Sequence, residues 1–275
     1  MKLGTFVRPN DLSCLDEAFA PLREMGFTSC QLAYKPEVFR PEDADLIRRA
    51  AERHGFEISA HFIGFRDAFS EWDLRYGFLC QGLTPPTYRQ ARLEYLLSGI
   101  PFVRRLGTDD LIVHAGFVPN NPFDPEYLGL LAALRCLAIQ ARAQGVNVLL
   151  ETGAESPVTL LRLIEEIGTG NVYVNLDTGN CIMYGYSNPV DALHTIGKYV
   201  RNVHMKDGLP PTTPYALGPE KPLGEGCVDF DRFMKGLRAL GYDRFLTIER
   251  EISGPQQRVD IERAKAYIER LLAQA

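Results

Sequence analysis

Short apolar or β-branched runs alternate with longer segments of helical period along this chain, and the alternation repeats eight times. The runs are LGTFV (3–7), CQLAY (30–34), EISAHF (57–62), LIVHAG (111–116), VNVLLE (146–151), NVYVNLD (171–177), VRNVHM (200–205) and FLTIE (245–249). Between them lie segments such as 42–54, 88–106, 127–144 and 230–240, with apolar residues every three or four positions, the spacing of one buried helix face. Glycine often sits just before the next run, at Gly26, Gly55, Gly107, Gly145 and Gly241. That is where a helix C-terminus needs a residue tolerant of positive φ. Prolines gather in loops and at helix starts, and none interrupts a run.

Strands alternating with helices predict parallel pairing, because each crossover helix returns the chain to the same end of the sheet. Eight such units in 275 residues predict an α/β fold, a single (β/α)8 TIM barrel without a domain boundary. An open doubly wound sheet would carry a glycine-rich turn after its first strand, whereas here the first run leads into RPND. Two connections are longer than the rest and read as binding loops. Residues 64–87 carry Phe65, Trp72, Tyr76 and Phe78 among charges, a candidate lid, and residues 207–228 carry PPTTPYALGPEKPLGEG.

Composition narrows the function classes. With 45% hydrophobic and 24% charged residues the chain is ordinary globular protein with ample core. Thirty lysines and arginines against 35 acids leave a net charge of −5, which disfavours general nucleic-acid binding. The six cysteines are scattered, with no pair at two-residue spacing, and read as reduced core thiols. The start MKLGTFVRPND has too short an apolar run for a signal peptide, and the longest apolar region, 128–141, is broken by Arg135. The expectation is a cytoplasmic protein with neither nucleic-acid nor membrane partners. A homo-oligomer is compatible with the sequence, which carries no direct sign of oligomeric state.

The chemistry lies at the strand ends. Glu151 closes the fifth run, Asp177 the sixth, His204 lies near the end of the seventh and Glu249 closes the eighth. All four stand on the carboxyl rim, where barrel active sites are built. Singly, each has a plain explanation as a helix cap or ion-pair partner: Asp177 before Thr178 and Gly179 fits a turn, and Glu251 shares a strand face with Glu249. Four on consecutive strands are hard to bury without a shared cation. Three carboxylates and one imidazole suit one divalent metal ion, Mn²⁺ first, with Mg²⁺, Co²⁺ or Zn²⁺ also admissible. His61 and His114 end the third and fourth strands and are expected to face the barrel mouth and substrate. Lys206 shares the parity of His204, so its ammonium can steady an anionic intermediate. The GEG turn at 224–226 and Asp229 read as loop chemistry and a helix cap, without a catalytic role.

The motifs ETG, LDTGN, HMKDG, PLGEG and LTIERE, in this order, together with GLTPPTYRQAR and the ending ISGPQQ, resemble the sugar phosphate isomerase/epimerase superfamily of xylose isomerase-like barrels. The resemblance spans essentially the whole chain and extends to ketose 3-epimerases and hydroxypyruvate isomerases. It implies that Glu151, Asp177, His204 and Glu249 ligate the metal. It further implies that Glu151 and Glu249 act as the acid/base pair on opposite faces of a small sugar substrate, through a metal-stabilised enediolate. Similar ketose 3-epimerases place a histidine where this chain has Asn180, an arginine after the strand-seven histidine where it runs DGLPP, and a further glutamate where it has Pro157. Asn180, Lys206, His61, His114 and Trp72 are therefore the expected substrate contacts.

Three alternatives compete. A lyase or dehydratase on a keto-sugar or keto-glycoside would use the same site, the enediolate expelling a β-leaving group. A type IV apurinic endonuclease would need a trinuclear zinc site; Asn180 replaces one of its histidines, and His204 is the last histidine in the chain. A non-catalytic sugar- or metal-binding protein would not need two acid/base glutamates.

Overall fold

The computed structural model describes residues 1–34, 39–64 and 73–274. Ten strands and ten α-helices follow in chain order among these residues: β1 (Lys2–Val7), α1 (Leu15–Glu24), β2 (Ser29–Leu32), α2 (Pro41–Arg53), β3 (Glu57–Phe62), α3 (Gly77–Cys80), α4 (Pro86–Leu106), β4 (Asp110–His114), α5 (Pro125–Ala143), β5 (Asn147–Glu151), α6 (Pro157–Ile167), β6 (Val172–Asp177), α7 (Thr178–Met183), α8 (Pro189–Ile196), β7 (Val200–Met205), β8 (Asp207–Gly208), β9 (Glu220–Lys221), α9 (Phe230–Ala239), β10 (Phe245–Ile248) and α10 (Pro255–Ala273). Eight strands close into one parallel barrel in the order β1–β10–β7–β6–β5–β4–β3–β2, as the eightfold alternation predicts.

The elements form where local chemistry favours them. Helices α2, α4, α5, α6, α8 and α10 each open with proline, whose fixed φ suits the first turn and whose missing N–H would be unpaired there anyway. The glycines before the strands do adopt positive φ, from 69° at Gly241 to 88° at Gly107. Two prolines fall inside helices, Pro21 in α1 and Pro101 in α4, in contrast to the pattern of loops and helix starts. Pro21 gives up an amide but its carbonyl still accepts from the Met25 N–H at 3.1 Å.

The core has two parts. A large layer between sheet and helices includes Leu111, Val113, Val148, Leu150, Val174 and Val203 on the outward strand faces. A small cluster of Ala60, Ile112 and Leu149, with Phe62 and Tyr173 against it, lies inside the barrel. At the amino-terminal end of the barrel, buried Asp110 accepts from Arg201 Nε (3.1 Å), Arg244 Nη2 (3.0 Å) and Asn147 Nδ2 (2.8 Å), tying four strand starts together.

Both long connections are anchored by charge. In the first, Arg89 donates to the carbonyl of Leu83 (2.7 Å), and Arg92 to those of Gly82 (2.8 Å) and Leu79 (2.5 Å). This gives the arginines of GLTPPTYRQAR a structural task. In the second, the paired strands β8 and β9 form a small hairpin. Asp207 is buried and accepts from the N–H groups of Gly208, Gly224, Gly226 and Val228 at 2.9 to 3.1 Å. A Cβ on Gly226 would come within 2.1 Å of Asp207 Oδ1, which is why the PLGEG turn ends in glycine. Among the described residues no helix is long and apolar enough to cross a membrane.

Candidate metal centre

Strands β5, β6, β7 and β10 are neighbours in the barrel, and each brings one donor to its carboxyl end. Glu151 ends β5, Asp177 ends β6, His204 lies one residue before the end of β7, and Glu249 follows β10 directly. Register aligns them: Asp177 stands beside His204, and Thr247, two residues before Glu249, stands on the other side. One donor atom from each of the four lies within 4.8 Å of the others, and all four side chains are buried. His204 Nδ1 is the hub, 2.8 Å from Glu151 Oε1, 3.2 Å from Glu249 Oε2 and 3.6 Å from Asp177 Oδ2.

The threonines that follow Glu151 and Asp177 lock the rim. Thr152 Oγ1 accepts from the Asp177 N–H (2.9 Å) and donates to its carbonyl (3.1 Å), while Thr178 Oγ1 donates to the carbonyl of Lys206 (2.5 Å) and accepts from its N–H (3.1 Å). Each hydroxyl thus fixes the backbone of the next strand at the level of its functional residue. Gly179 completes the LDTGN motif because any Cβ there would meet Lys206 Cγ at 2.6 Å. Asp177 divides its carboxylate: Oδ1 caps α7 by accepting from the Asn180 N–H at 2.7 Å, and Oδ2 points at the hub. The turn reading of Asp177 holds for one oxygen, and the other oxygen is left to face the cluster.

Burial and charge work against each other here. Burial, reinforced by the neighbouring acids, pushes Glu151 up to about 7 and Asp177 up to about 6. Glu249 is equally buried, yet Lys206 and His204 hold it well below the usual carboxylate range. Burial would lower His204 and Lys206, but Glu249 and the other acids around them raise both well above their ordinary values. Asp177 Oδ2 is buried and has no hydrogen-bond partner among the described residues. Three carboxylates and one imidazole converging on one point, with an oxygen left unsatisfied, fit a divalent cation of the Mn²⁺, Mg²⁺, Co²⁺ or Zn²⁺ kind.

Other expected site residues separate into three groups. His114 reaches the centre, its Nε2 3.3 Å from Glu151 Oε2. Lys206 Nζ lies 3.4 Å from Glu249 Oε2 and 3.3 Å from Asn180 Oδ1, and also pairs with Glu251, so Lys206 and Asn180 belong to the same wall. Glu249 is the residue in the cluster and Glu251 the partner of the ammonium, which resolves their shared face. His61 does not reach the mouth. Its ring packs against Phe39 (6.0 Å) and Phe102 (5.2 Å) on the helix side of the sheet, and its Nδ1 bonds the Leu32 carbonyl at 3.1 Å. The cause is a β-bulge: Cys30 pairs with Ile58 but Leu32 with His61, so one extra residue of β3 reverses the parity. Trp72 and residues 65–72 of the candidate lid lie outside the described residues.

Several residues at the site were not anticipated. Phe6 packs edge-on against His204 at 5.2 Å, and Gln31 Nε2 lies 2.8 Å from His204 Nε2. Glu155 is buried beside the centre; burial lifts its carboxyl to about 8, and Oε1 accepts from the Gly153 N–H. Buried Tyr184 accepts a hydrogen bond from Gln81 Nε2 at 3.0 Å. The inward parity of β2 was the available signal for Gln31; Glu155 and Tyr184 sit in loops, where no period marks them.

The family model described as xylose isomerase-like TIM barrel matches residues 19–271. Among curated proteins, inosose dehydratase of Clostridium botulinum (strain Alaska E43 / Type E3) is 23% identical over 86% of this chain and 82% of its own length. A 2-epi-5-epi-valiolone 7-phosphate 2-epimerase of Actinoplanes sp. is 32% identical over 49% of each chain. Among solved structures, a xylose isomerase domain protein from Planctomyces limnophilus aligns with a TM-score of 0.88 and 28% identity, over 98% of this chain and 96% of that one. An L-ribulose 3-epimerase aligns with a TM-score of 0.76 and 20% identity, over 99% and 95%, a likeness of fold. The order of motifs, the closed barrel and the extent of the match agree: the chain belongs to the xylose isomerase-like TIM barrel family.

Proposed function

We propose that this protein is a divalent-metal-dependent isomerase or epimerase of a sugar or sugar derivative, with Glu151 and Glu249 as its acid/base pair. The observation that carries the reading is the buried cluster of Glu151, Asp177, His204 and Glu249 on four adjacent strands. These four residues would hold the cation, which when bound supplies Lewis-acid polarisation of a substrate carbonyl and so acidifies the neighbouring C–H. The two glutamates stand at the ends of the four-strand arc, with Asp177 and His204 between them. One carboxylate takes the proton from carbon, the electron pair moving onto the carbonyl oxygen; the other returns a proton from the opposite side. His114, Asn180 and Lys206 line the same rim and would orient the sugar hydroxyls, the Lys206 ammonium balancing negative charge that develops on oxygen. Manganese is the proposed metal, and the cytoplasm the proposed compartment.

A second reading, elimination from a keto-sugar or keto-cyclitol, is favoured by the inosose dehydratase relatives that span most of the chain. Proton abstraction is common to both; in elimination the electron pair expels a β-hydroxyl or glycosyl oxygen instead of being reprotonated.

The test begins with metal. Chelated protein reloaded with Mn²⁺ is expected to hold about one ion per chain by elemental analysis. Three zinc ions per chain, or cleavage of abasic DNA, would contradict the reading. Incubating the loaded protein with a panel of ketoses and inososes and identifying products by NMR then separates the two: an epimer or isomer supports the first, loss of water or an aglycone the second.

A further inference from the structure

We infer that Gln31 is a positioning residue that presents His204 Nδ1 to the metal, acting through a chain of three buried amides inside the barrel. The inference rests on the proposed metal centre. Nδ1 faces the three carboxylates, so the opposite ring nitrogen, Nε2, points away from the centre into the barrel. A ring that offers the Nδ1 lone pair to a cation carries its proton on Nε2, and a buried N–H there needs an acceptor. The Gln31 side-chain amide, fully buried and 2.8 Å away, is the group that faces it.

Gln31 does not act alone. Asn202 Nδ2 donates to Gln31 Oε1 at 3.1 Å and to Asn175 Oδ1 at 2.7 Å. Asn202 Oδ1 and Asn175 Nδ2 are buried without partners among the described residues. With this polarity Gln31 turns its NH₂ toward His204, which suits a bare Nε2 and opposes a protonated one. Half-turns of the planar amides give the opposite polarity with the same heavy-atom positions. His204 Nε2–H then donates to Gln31 Oε1, and Gln31 Nε2 and Asn175 Nδ2 both donate to Asn202 Oδ1. Turning Gln31 alone would set its NH₂ against that of Asn202, so the three amides reverse together. The relay therefore has two states, and ligation of a metal by Nδ1 selects the second.

Two substitutions and one spectrum test this. Gln31→Leu removes the acceptor and is expected to weaken Mn²⁺ binding about 10- to 100-fold, measured by calorimetric titration of the chelated protein. Gln31→Glu supplies a carboxylate that accepts from His204 Nε2–H and from Asn202 at once, and is expected to keep the affinity within about threefold, since accepting groups in this position support ligation. A residue that merely fills space would give the same loss in both variants. In Zn²⁺-loaded wild-type protein, which needs no variant to fold, ¹⁵N NMR is expected to show the His204 proton on Nε2 in a hydrogen bond. Unchanged affinity in Gln31→Leu, equal losses in both variants, or a bare Nε2 in the loaded protein would each overturn the role of Gln31. A wild-type protein that binds no divalent cation would instead overturn the metal centre itself.

Discussion

Asp177 combines a helix cap with a place in the buried acidic cluster. One oxygen caps α7 and the other faces the hub, so Asp177→Asn keeps an oxygen for the Asn180 amide while removing a negative charge from the cluster. The expected result is a metal affinity lowered by more than the ~10–100-fold typical of an outer partner, with the chelated protein melting within a few degrees of wild type. Calorimetric titration and a thermal melt check both halves. His61 carries a prediction of another kind. Burial between β3 and the aromatic rings lowers its pKa to about 4, below the ordinary value of 6.5. Between those two pH values the unfolded chain takes up a proton that the folded chain refuses, so stability falls as pH drops through that window. The loss attributable to this one ring is about 3 kcal/mol when the window is crossed. His61→Phe is expected to flatten the dependence of urea-denaturation stability on pH between 6.5 and 4; an unchanged slope would place the acid sensitivity elsewhere. The four residues of the buried cluster were legible in the sequence because each stands at or next to the end of an apolar run. His61 was misplaced because a bulge leaves no mark in the alternation of EISAHF.

At the scale of elements, the eight runs became the eight barrel strands with ends shifted by two residues or fewer, since period and length suffice to mark a buried parallel strand. The hairpin of β8 and β9 was not legible. Two-residue strands have no period, and what holds them is one side chain reaching four amides across the chain. Asp207→Ala would strand those N–H groups, and the expected cost is about 3 kcal/mol in urea denaturation, as for other buried hydrogen-bond networks that lose their acceptor. Asp207→Asn should recover part of this, because its one carbonyl oxygen still accepts. The loop carrying PLGEG is thereby tied to the residue that follows Lys206, so its disorder in Asp207→Ala would be read in faster amide exchange around residues 220–228.

The whole molecule separates stability from chemistry by the two ends of the barrel. The amino-terminal end is closed by Asp110 between Arg201 and Arg244, and the carboxyl end gathers the acids, His114, His204 and Lys206. The central claim is that the two glutamates move a proton at carbon beside a carbonyl. It is tested most directly by incubating the Mn²⁺-loaded protein with a ketose that it epimerises or isomerises in deuterated water and reading deuterium at that carbon by NMR. Enzyme-dependent incorporation that disappears on chelation and in both Glu151→Gln and Glu249→Gln is the predicted result. Turnover that leaves the carbon undeuterated, or deuterium exchange that survives both substitutions, would contradict it.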